Sequence, residues 1–486
     1  MNQTIPQIEK WEVCELSWQG PVEGNPFTEV SLRAEFWNQD SKVTVDGFYD
    51  GEGIFKVRFM PSQEGIWQYV VRSNCKDFDG IAGSINVTPP GEGNHGPVRV
   101  SNTYHFAYMD GTPHRSFGTT CYAWIHQQEE LQELTLKTLG NSPFNKIRMC
   151  VFPKYYDYNK REPELYPYER KESGEWDFTR FQPRFFKHLE RRINDLKELG
   201  IEADIILFHP YDHWGFSDMG KDNDDSYLRY IIARLSAFRN VWWSLANEYD
   251  YVNTKTLEDW ERFGQIINEK DPYGHLTSIH NGPKLYDHTR PWITHCSIQR
   301  MDLYKTSENV NDWRDQFQKP VVVDECEYEG NINHGWGNIT GQELVRRYWE
   351  GVLRGGYMGH GETYVHPEDI LWWSHGGQLH GSSPERIAFL RNLIEEGTSI
   401  GLTPIPYAWD AVCGGVEGEF YLLYFGVHQP AFRDMNLPEG GSYHIDVIDT
   451  WDMTITPIEG VHEREVKVNL PGKPYMAIRM TRVKSV

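Results

Sequence analysis

The stretch Val241-Trp242-Trp243-Ser244-Leu245-Ala246-Asn247-Glu248-Tyr249-Asp250 decides the fold. Its apolar run is too short for a helix and ends in an Asn-Glu pair, the pattern of a buried strand that delivers polar side chains to its C-terminal end. In a barrel of parallel strands that end is the rim where the chemistry is kept. A second pair, Asn268-Glu269, lies inside an amphipathic helical stretch, where Glu269 reads as a solvated surface charge. The surroundings of the first pair must distinguish the two.

Outward from this stretch, short apolar runs alternate with helical patterns, as expected of βα units around a parallel sheet. Eight runs can be placed, at 116–122, 145–152, 203–208, 241–246, 276–279, 293–298, 320–324 and 357–360. Eight is the count that a closed (β/α)8 TIM barrel needs. Helices are expected at 181–199 with Gly200 as its stop, 225–238, 256–270, 341–353 ahead of Gly355-Gly356, and 383–396.

On either side the rhythm changes to period two. Val30, Leu32, Ala34 and Phe36, then Phe55, Val57 and Phe59, then Trp67, Tyr69 and Val71 alternate with polar neighbours, and Asp46-Gly47 and Glu64-Gly65 mark turns. This predicts an N-terminal immunoglobulin-like β-sandwich that ends at the linker Pro89-Pro90-Gly91-Glu92-Gly93-Asn94. Alternation returns at 420–425, 443–456, 466–470 and 475–483, a C-terminal β-sandwich. The expected division is therefore 1–90, 91–400 and 401–486, in keeping with a chain of 486 residues that exceeds one hydrophobic core.

A net charge of −22 disfavours nucleic acid and anionic membranes as partners, and no apolar run approaches the ~20 residues of a membrane span. The aromatic content of 14%, with 18 Trp and 27 Tyr, suits stacking on sugars as well as core packing. Seven scattered cysteines without CxxC spacing read as reduced, buried thiols, and the N-terminus lacks the features of a signal peptide. A cytoplasmic protein without cofactor is the expectation, with room for a homo-oligomer.

Hydrolysing a glycosidic bond with retention takes two carboxyl groups roughly 5 to 5.5 Å apart across the sugar, one an acid/base and the other a nucleophile. Glu248 closes the fourth run, and Pro320-Val321-Val322-Val323-Asp324-Glu325 closes the seventh with another acid, about three βα units away on the same rim. Because side chains alternate along a strand, Asp324 and Glu325 are not both expected to point into the site. Glu327 and Glu329 read more simply as a rim pair binding Arg or Lys.

An Asn-Glu at the end of strand four and a Glu at the end of strand seven resemble the large clan of retaining glycoside hydrolases with (β/α)8 barrels. The resemblance implies Glu248 as acid/base, Asn247 as the ligand of the sugar 2-hydroxyl, Glu325 as nucleophile, and Arg148 as the strand-two arginine that keeps Glu325 ionised. Through Asp324-Glu325-Cys326-Glu327-Tyr328-Glu329 and Gly359-His360-Gly361-Glu362-Thr363-Tyr364, the chain further resembles a bacterial subgroup with an apiosidase-like barrel between two sandwiches. Long loops after strands two, three and eight suggest a pocket closed at one end, hence exo action on short oligosaccharides or glycosides, and the subgroup resemblance implies plant-type substrates, pentose or cell-wall side-chain glycosides.

Other candidates cluster at the expected strand ends. His209, His280 and His295 are expected to bind sugar hydroxyls or the carboxylates, alongside His213 and His360. Of Trp372 and Trp373, one is expected to floor the sugar subsite, and Tyr122, Trp124, Tyr211 and Trp214 are further aromatic candidates. The histidines also raise a metal-dependent barrel hydrolase as an alternative. Against it, the first run has no histidine pair, and His209-Pro210-Tyr211-Asp212-His213 is not the helical i, i+4 pair of a zinc protease, so no metal ligand is assigned. A noncatalytic carbohydrate-binding barrel would have no need of both carboxylates.

Overall fold

The structure, a computed structural model, describes residues 5–300, 302, 305–365 and 371–483. All eight apolar runs become strands of one sheet: β1 Gly118–Thr120, β2 Lys146–Cys150, β3 Glu202–Phe208, β4 Val241–Ala246, β5 Thr277–Ser278, β6 Cys296–Gln299, β7 Val321–Glu325 and β8 Tyr357–His360. Their order is β5-β4-β3-β2-β1-β8-β7-β6, and every neighbouring pair is parallel. At the seam, β5 and β6 meet through one parallel bridge, His280 with Ser297, so the sheet is a nearly closed barrel. The fifth strand is short because the N–H of Thr277 is taken by the Thr294 hydroxyl (2.8 Å) instead of a strand carbonyl.

Covered on both faces, β2, β3, β4 and β8 bury every residue, which is why they read as unbroken apolar runs. The outer helices are α1 Glu129–Leu139, α2 Pro183–Glu198, α3 Lys221–Leu235, α4 Leu257–Lys270, α5 Val310–Phe317, α6 Gly341–Leu353 and α7 Ser383–Gly397. Strong punctuation made four of them legible: Pro183 in the first turn of α2, the Thr256/Asp259 capping box of α4, the Thr340 cap of α6 and Pro384 in α7. By contrast α1 and α5 escaped the sequence reading, having no side-chain cap, and α5 ends at Gln318 in a left-handed conformation (φ 52°) where a glycine would have signalled the stop.

At the N-terminal end, a five-stranded and a three-stranded sheet enclose one core, in which Phe36 stacks on Phe59 at 4.1 Å. An unanticipated three-stranded sheet, Val98–Ser101, His105–Tyr108 and Pro113–His114, then caps the lower mouth of the barrel, with Phe106 packed 5.2 Å from Trp242. After α7 come a six-stranded and a two-stranded sheet. The expected single strand at 443–456 is instead two antiparallel strands, Tyr443–Asp449 and Thr454–His462. Asp449 makes the turn, its Oδ1 accepting the N–H groups of Trp451 (3.1 Å) and Asp452 (2.8 Å).

All seven cysteines are unpaired. Among the described residues, no helix is long and apolar enough to cross a membrane.

Candidate active site

The rim begins where β4 ends. The N–H of Asn247 is held by the Phe208 carbonyl (3.0 Å) and that of Tyr249 by the His280 carbonyl (3.0 Å). Between these anchors Glu248 adopts a left-handed conformation (φ 50°, ψ 56°), a strain of about 1–3 kcal/mol that persists only where the surroundings impose it. The twist turns its side chain into the barrel mouth. There Oε2 accepts from the Tyr211 hydroxyl and from Asn247 Nδ2 (3.0 Å), and Gln299 Nε2 donates to Oε1 at 3.4 Å.

Glu325 closes β7 across the mouth. Its Oε1 accepts from the Tyr122 hydroxyl, from His280 Nε2 (3.3 Å) and from Arg148 Nη1 (3.4 Å). Arg148 also reaches Asn247 Oδ1 with Nη2 (3.3 Å), and Tyr122 lies 2.9 Å from the same atom. Expected alternation along β7 is broken, because the ladder slips by one residue between Ile298 and Gln299, so that Gln299 pairs with Glu325. Asp324 and Glu325 therefore both turn inward, at different depths. Glu325 lines the mouth, while Asp324 sits below it, accepting from Lys146 Nζ (2.7 Å) and the Ser297 hydroxyl (2.6 Å).

The two rim carboxyls are biased in opposite directions. Burial and then the charge of Glu325 raise the pKa of Glu248 above the ordinary carboxylate range, against the Tyr211 hydrogen bond, Lys154 and His280. Burial would raise Glu325 too, but His280, Arg148 and the Tyr122 hydrogen bond outweigh it and bring it to about 2. The layer beneath is a buried ion cluster in which Lys146 bridges Asp204 (2.8 Å) and Asp324 (2.7 Å).

Both carboxyls open into a cavity of about 360 Å³ with aromatic walls that include Tyr156, Tyr158, Tyr328, Trp336 and Trp373. The loop after β2 and the loop after β7 meet over it, the Tyr158 hydroxyl donating to Asn333 Oδ1 at 2.9 Å. A roomier groove of about 500 Å³ lies beside Trp409 and α6, away from the carboxyl pair.

Several expected site residues are brought together here: Glu248, Glu325, Asn247, Arg148, His280 and Trp373. Three are not. His295 is buried at the lower end of the barrel, 5.3 Å from Trp242 and 5.7 Å from Phe106, because it precedes β6 instead of ending it. His209 lies within hydrogen-bond reach of the Phe152 carbonyl (Nε2 to O, 3.1 Å) and is absent from the cavity wall. Trp372 points into the barrel wall, its indole N–H donating to Thr119 Oγ1 (2.8 Å), whereas Trp373 lines the cavity.

Among the other candidates, Trp124 is core, Trp214 bonds Glu162 outside the cavity, and His213 pairs with Glu162 at 3.1 Å. Glu327 binds Arg347 (3.0 Å) as expected of a rim acid, whereas Glu329 accepts from the Ser382 and Ser383 N–H groups instead of a basic side chain. Gln299, Lys154 and Trp336 line the cavity and went unremarked in the sequence, Gln299 because the slip in the ladder that aims it is invisible there. Among the described residues, no group of three or more His, Cys, Asp and Glu is arranged to hold a metal ion.

The sequence profile of the apiosidase-like catalytic domain matches residues 100–396, and two domains of unknown function, DUF5060 and DUF5605, match 7–74 and 409–481. A candidate glycoside hydrolase from Bacteroides vulgatus superposes with a TM-score of 0.94 at 40% identity, over 98% of this chain and 100% of its own. A family 5 glycoside hydrolase from the same organism gives 0.61 at 14% identity, over 80% of this chain and 94% of its own, a likeness of fold alone. No curated protein matches. The barrel is thus of the glycoside-hydrolase type. Within that class, the chain belongs to the apiosidase-like family.

Proposed function

We propose that the protein is a retaining glycosidase that works by double displacement between Glu325 and Glu248. The observation that carries this reading is the opposed bias of two carboxyls facing one cavity: one shifted towards its charged form, the other towards its protonated form. In the first step Glu325 attacks the anomeric carbon while Glu248 gives its proton to the leaving oxygen; in the second, Glu248 takes a proton from water, which displaces Glu325 from the sugar. Arg148 and Tyr122 stabilise the charged nucleophile before attack. Asn247, fixed between Arg148 and Glu248, is placed to bind the sugar hydroxyl next to the reacting carbon.

The Tyr158 to Asn333 contact over the cavity supports a closed pocket and hence exo action on short oligosaccharides or glycosides, with the apiosidase-like family favouring plant-type substrates. A panel of aryl glycosides tests the proposal. Wild type should release aryl alcohol from at least one member with retention of anomeric configuration by proton NMR, and Glu248→Gln and Glu325→Gln should each lose that turnover. Inversion, or turnover indifferent to both substitutions, overturns it.

A further inference from the structure

Among the described residues, Lys154 is the one lysine or arginine of the cavity wall, and it has no anionic partner there. It stands four residues beyond the end of β2 and is only 2% exposed. Its Nζ lies 3.7 Å from the ring centre of Tyr122, 4.3 Å from Tyr211, 4.5 Å from Tyr156 and 5.2 Å from Trp373. Among the described residues, no carboxylate oxygen comes within the 4.0 Å of an ion pair, and Nζ makes no hydrogen bond. Lys146, also buried, is bound by two carboxylates, and Lys255, with a side chain 3% exposed, by Asp224 at 2.8 Å.

An ammonium presents three donors and no acceptor, and taking it out of water without a partner is expensive. Ring faces recover part of that cost through their quadrupoles but satisfy none of the N–H donors. Burial accordingly depresses the Lys154 pKa, partly opposed by Cys150, Glu248 and Glu325. Those two carboxyls are held at the hydroxyl ends of Tyr211 and Tyr122, whose faces Lys154 occupies, and neither reaches ion-pair distance of the ammonium. What remains open to the ammonium is the cavity itself, and an acceptor must come from what the cavity holds.

Resting on the glycosidase reading, we propose that the pocket takes sugars bearing a carboxylate, as uronic acid glycosides do, and that Lys154 selects them by pairing with that carboxylate. A hydroxyl could accept one hydrogen bond, but only an anion turns an unpaired buried charge into a charge-assisted pair. Charged Glu325 has Arg148 as its own counter-ion, which leaves Lys154 to an incoming carboxylate.

Binding of the free sugars D-glucuronate, D-galacturonate, D-glucose and D-galactose to the intact protein, followed by calorimetry at constant ionic strength, tests this. Wild type should bind the acids about tenfold or more tightly than their neutral counterparts, in line with a charged hydrogen bond. Lys154→Met should abolish the preference without a large change in Tm, whereas Glu325→Gln should retain it. Neutral sugars bound as tightly as acids by wild type, or a preference that survives in Lys154→Met, overturns the proposal; the wild-type comparison decides even if that variant does not fold. Turnover plays no part in this measurement. Hydrolysis of neutral glycosides through both glutamates without a preference for acids would sink the sugar-acid site alone, and a preference without any hydrolysis would sink the glycosidase reading alone.

Discussion

Arg148 reaches Glu325 with one guanidinium nitrogen at 3.4 Å and Asn247 with the other at 3.3 Å, so a single β2 side chain fixes a carboxylate of β7 and an amide of β4. The planar fork makes this double reach possible, and an ammonium cannot reproduce it. Arg148→Lys should therefore lower kcat/KM by about 10- to 100-fold while the protein remains folded.

The pH profile of the same variant gives a sharper test. With Glu325 as the proposed nucleophile, activity on the acid side should require its ionised form and fall as pH drops through its pKa, lowered against burial to about 2 by His280, Arg148 and Tyr122. Loosening Arg148 removes a lowering influence, so the acid limb of kcat/KM should move to higher pH. With Glu248 as the proposed acid, activity should fall on the alkaline side as pH rises through its raised pKa. The two limbs belong to the pair as a whole, since each carboxyl senses the other's charge. An acid limb unmoved in Arg148→Lys would show that Arg148 does not hold the charge on Glu325.

Adjacent tryptophans should separate cleanly into function and stability. Trp373 lines the cavity, 4.9 Å from Trp336, whereas Trp372 is buried with its N–H on Thr119. Trp373→Ala should raise KM or depress kcat with a minor change in Tm. Trp372→Ala should instead destabilise the barrel by about 3–5 kcal/mol, read as a fall in denaturant midpoint.

Much of this arrangement was legible in the sequence because parallel barrel strands are buried on both faces and end in polar residues, as Val241 to Glu248 does. Tertiary context supplied the rest. The slip opposite Glu325 that turns both Asp324 and Glu325 inward leaves no trace in the residue pattern, and His295 resembled a rim histidine because the start and the end of a four-residue strand look alike. Lys154 was passed over because its environment comes from rings contributed by β1, β3 and β8 loops far away in the chain.

Beneath the cavity, Lys146 is bound between Asp204 and Asp324, all three essentially inaccessible. Lys146→Met leaves two acids buried without their shared cation and should cost about 3–5 kcal/mol. The pKa of Asp324 lies below the ordinary range: burial would raise it, but Lys146 and Arg148 more than offset that. Its stabilisation is thus present above the unfolded value of about 3.9 and lost as pH falls below it. The gap in stability between wild type and Lys146→Met should narrow in acid; a gap that widens there would contradict this assignment.

Glu202, at the start of β3, should show the opposite dependence. Buried at the lower mouth, it accepts the Trp242 indole N–H at 3.0 Å. Burial raises its pKa to about 8 in spite of that bond and of Arg239, Tyr108 and Arg99. An unfolded glutamate titrates near 4.3, so between about pH 4.3 and 8 the native state holds a proton that the unfolded state has released. Stability contributed by this residue must then fall as pH rises through that window, the full penalty being reached above pH 8. Glu202→Gln keeps an acceptor for Trp242 and carries no charge to bury. It should match wild type below about pH 4 and exceed it by about 5 kcal/mol above pH 8, measured by urea unfolding across pH. A variant less stable than wild type at pH 8 would mean that Glu202 is ionised there and paired, most directly with Arg99 or Arg239.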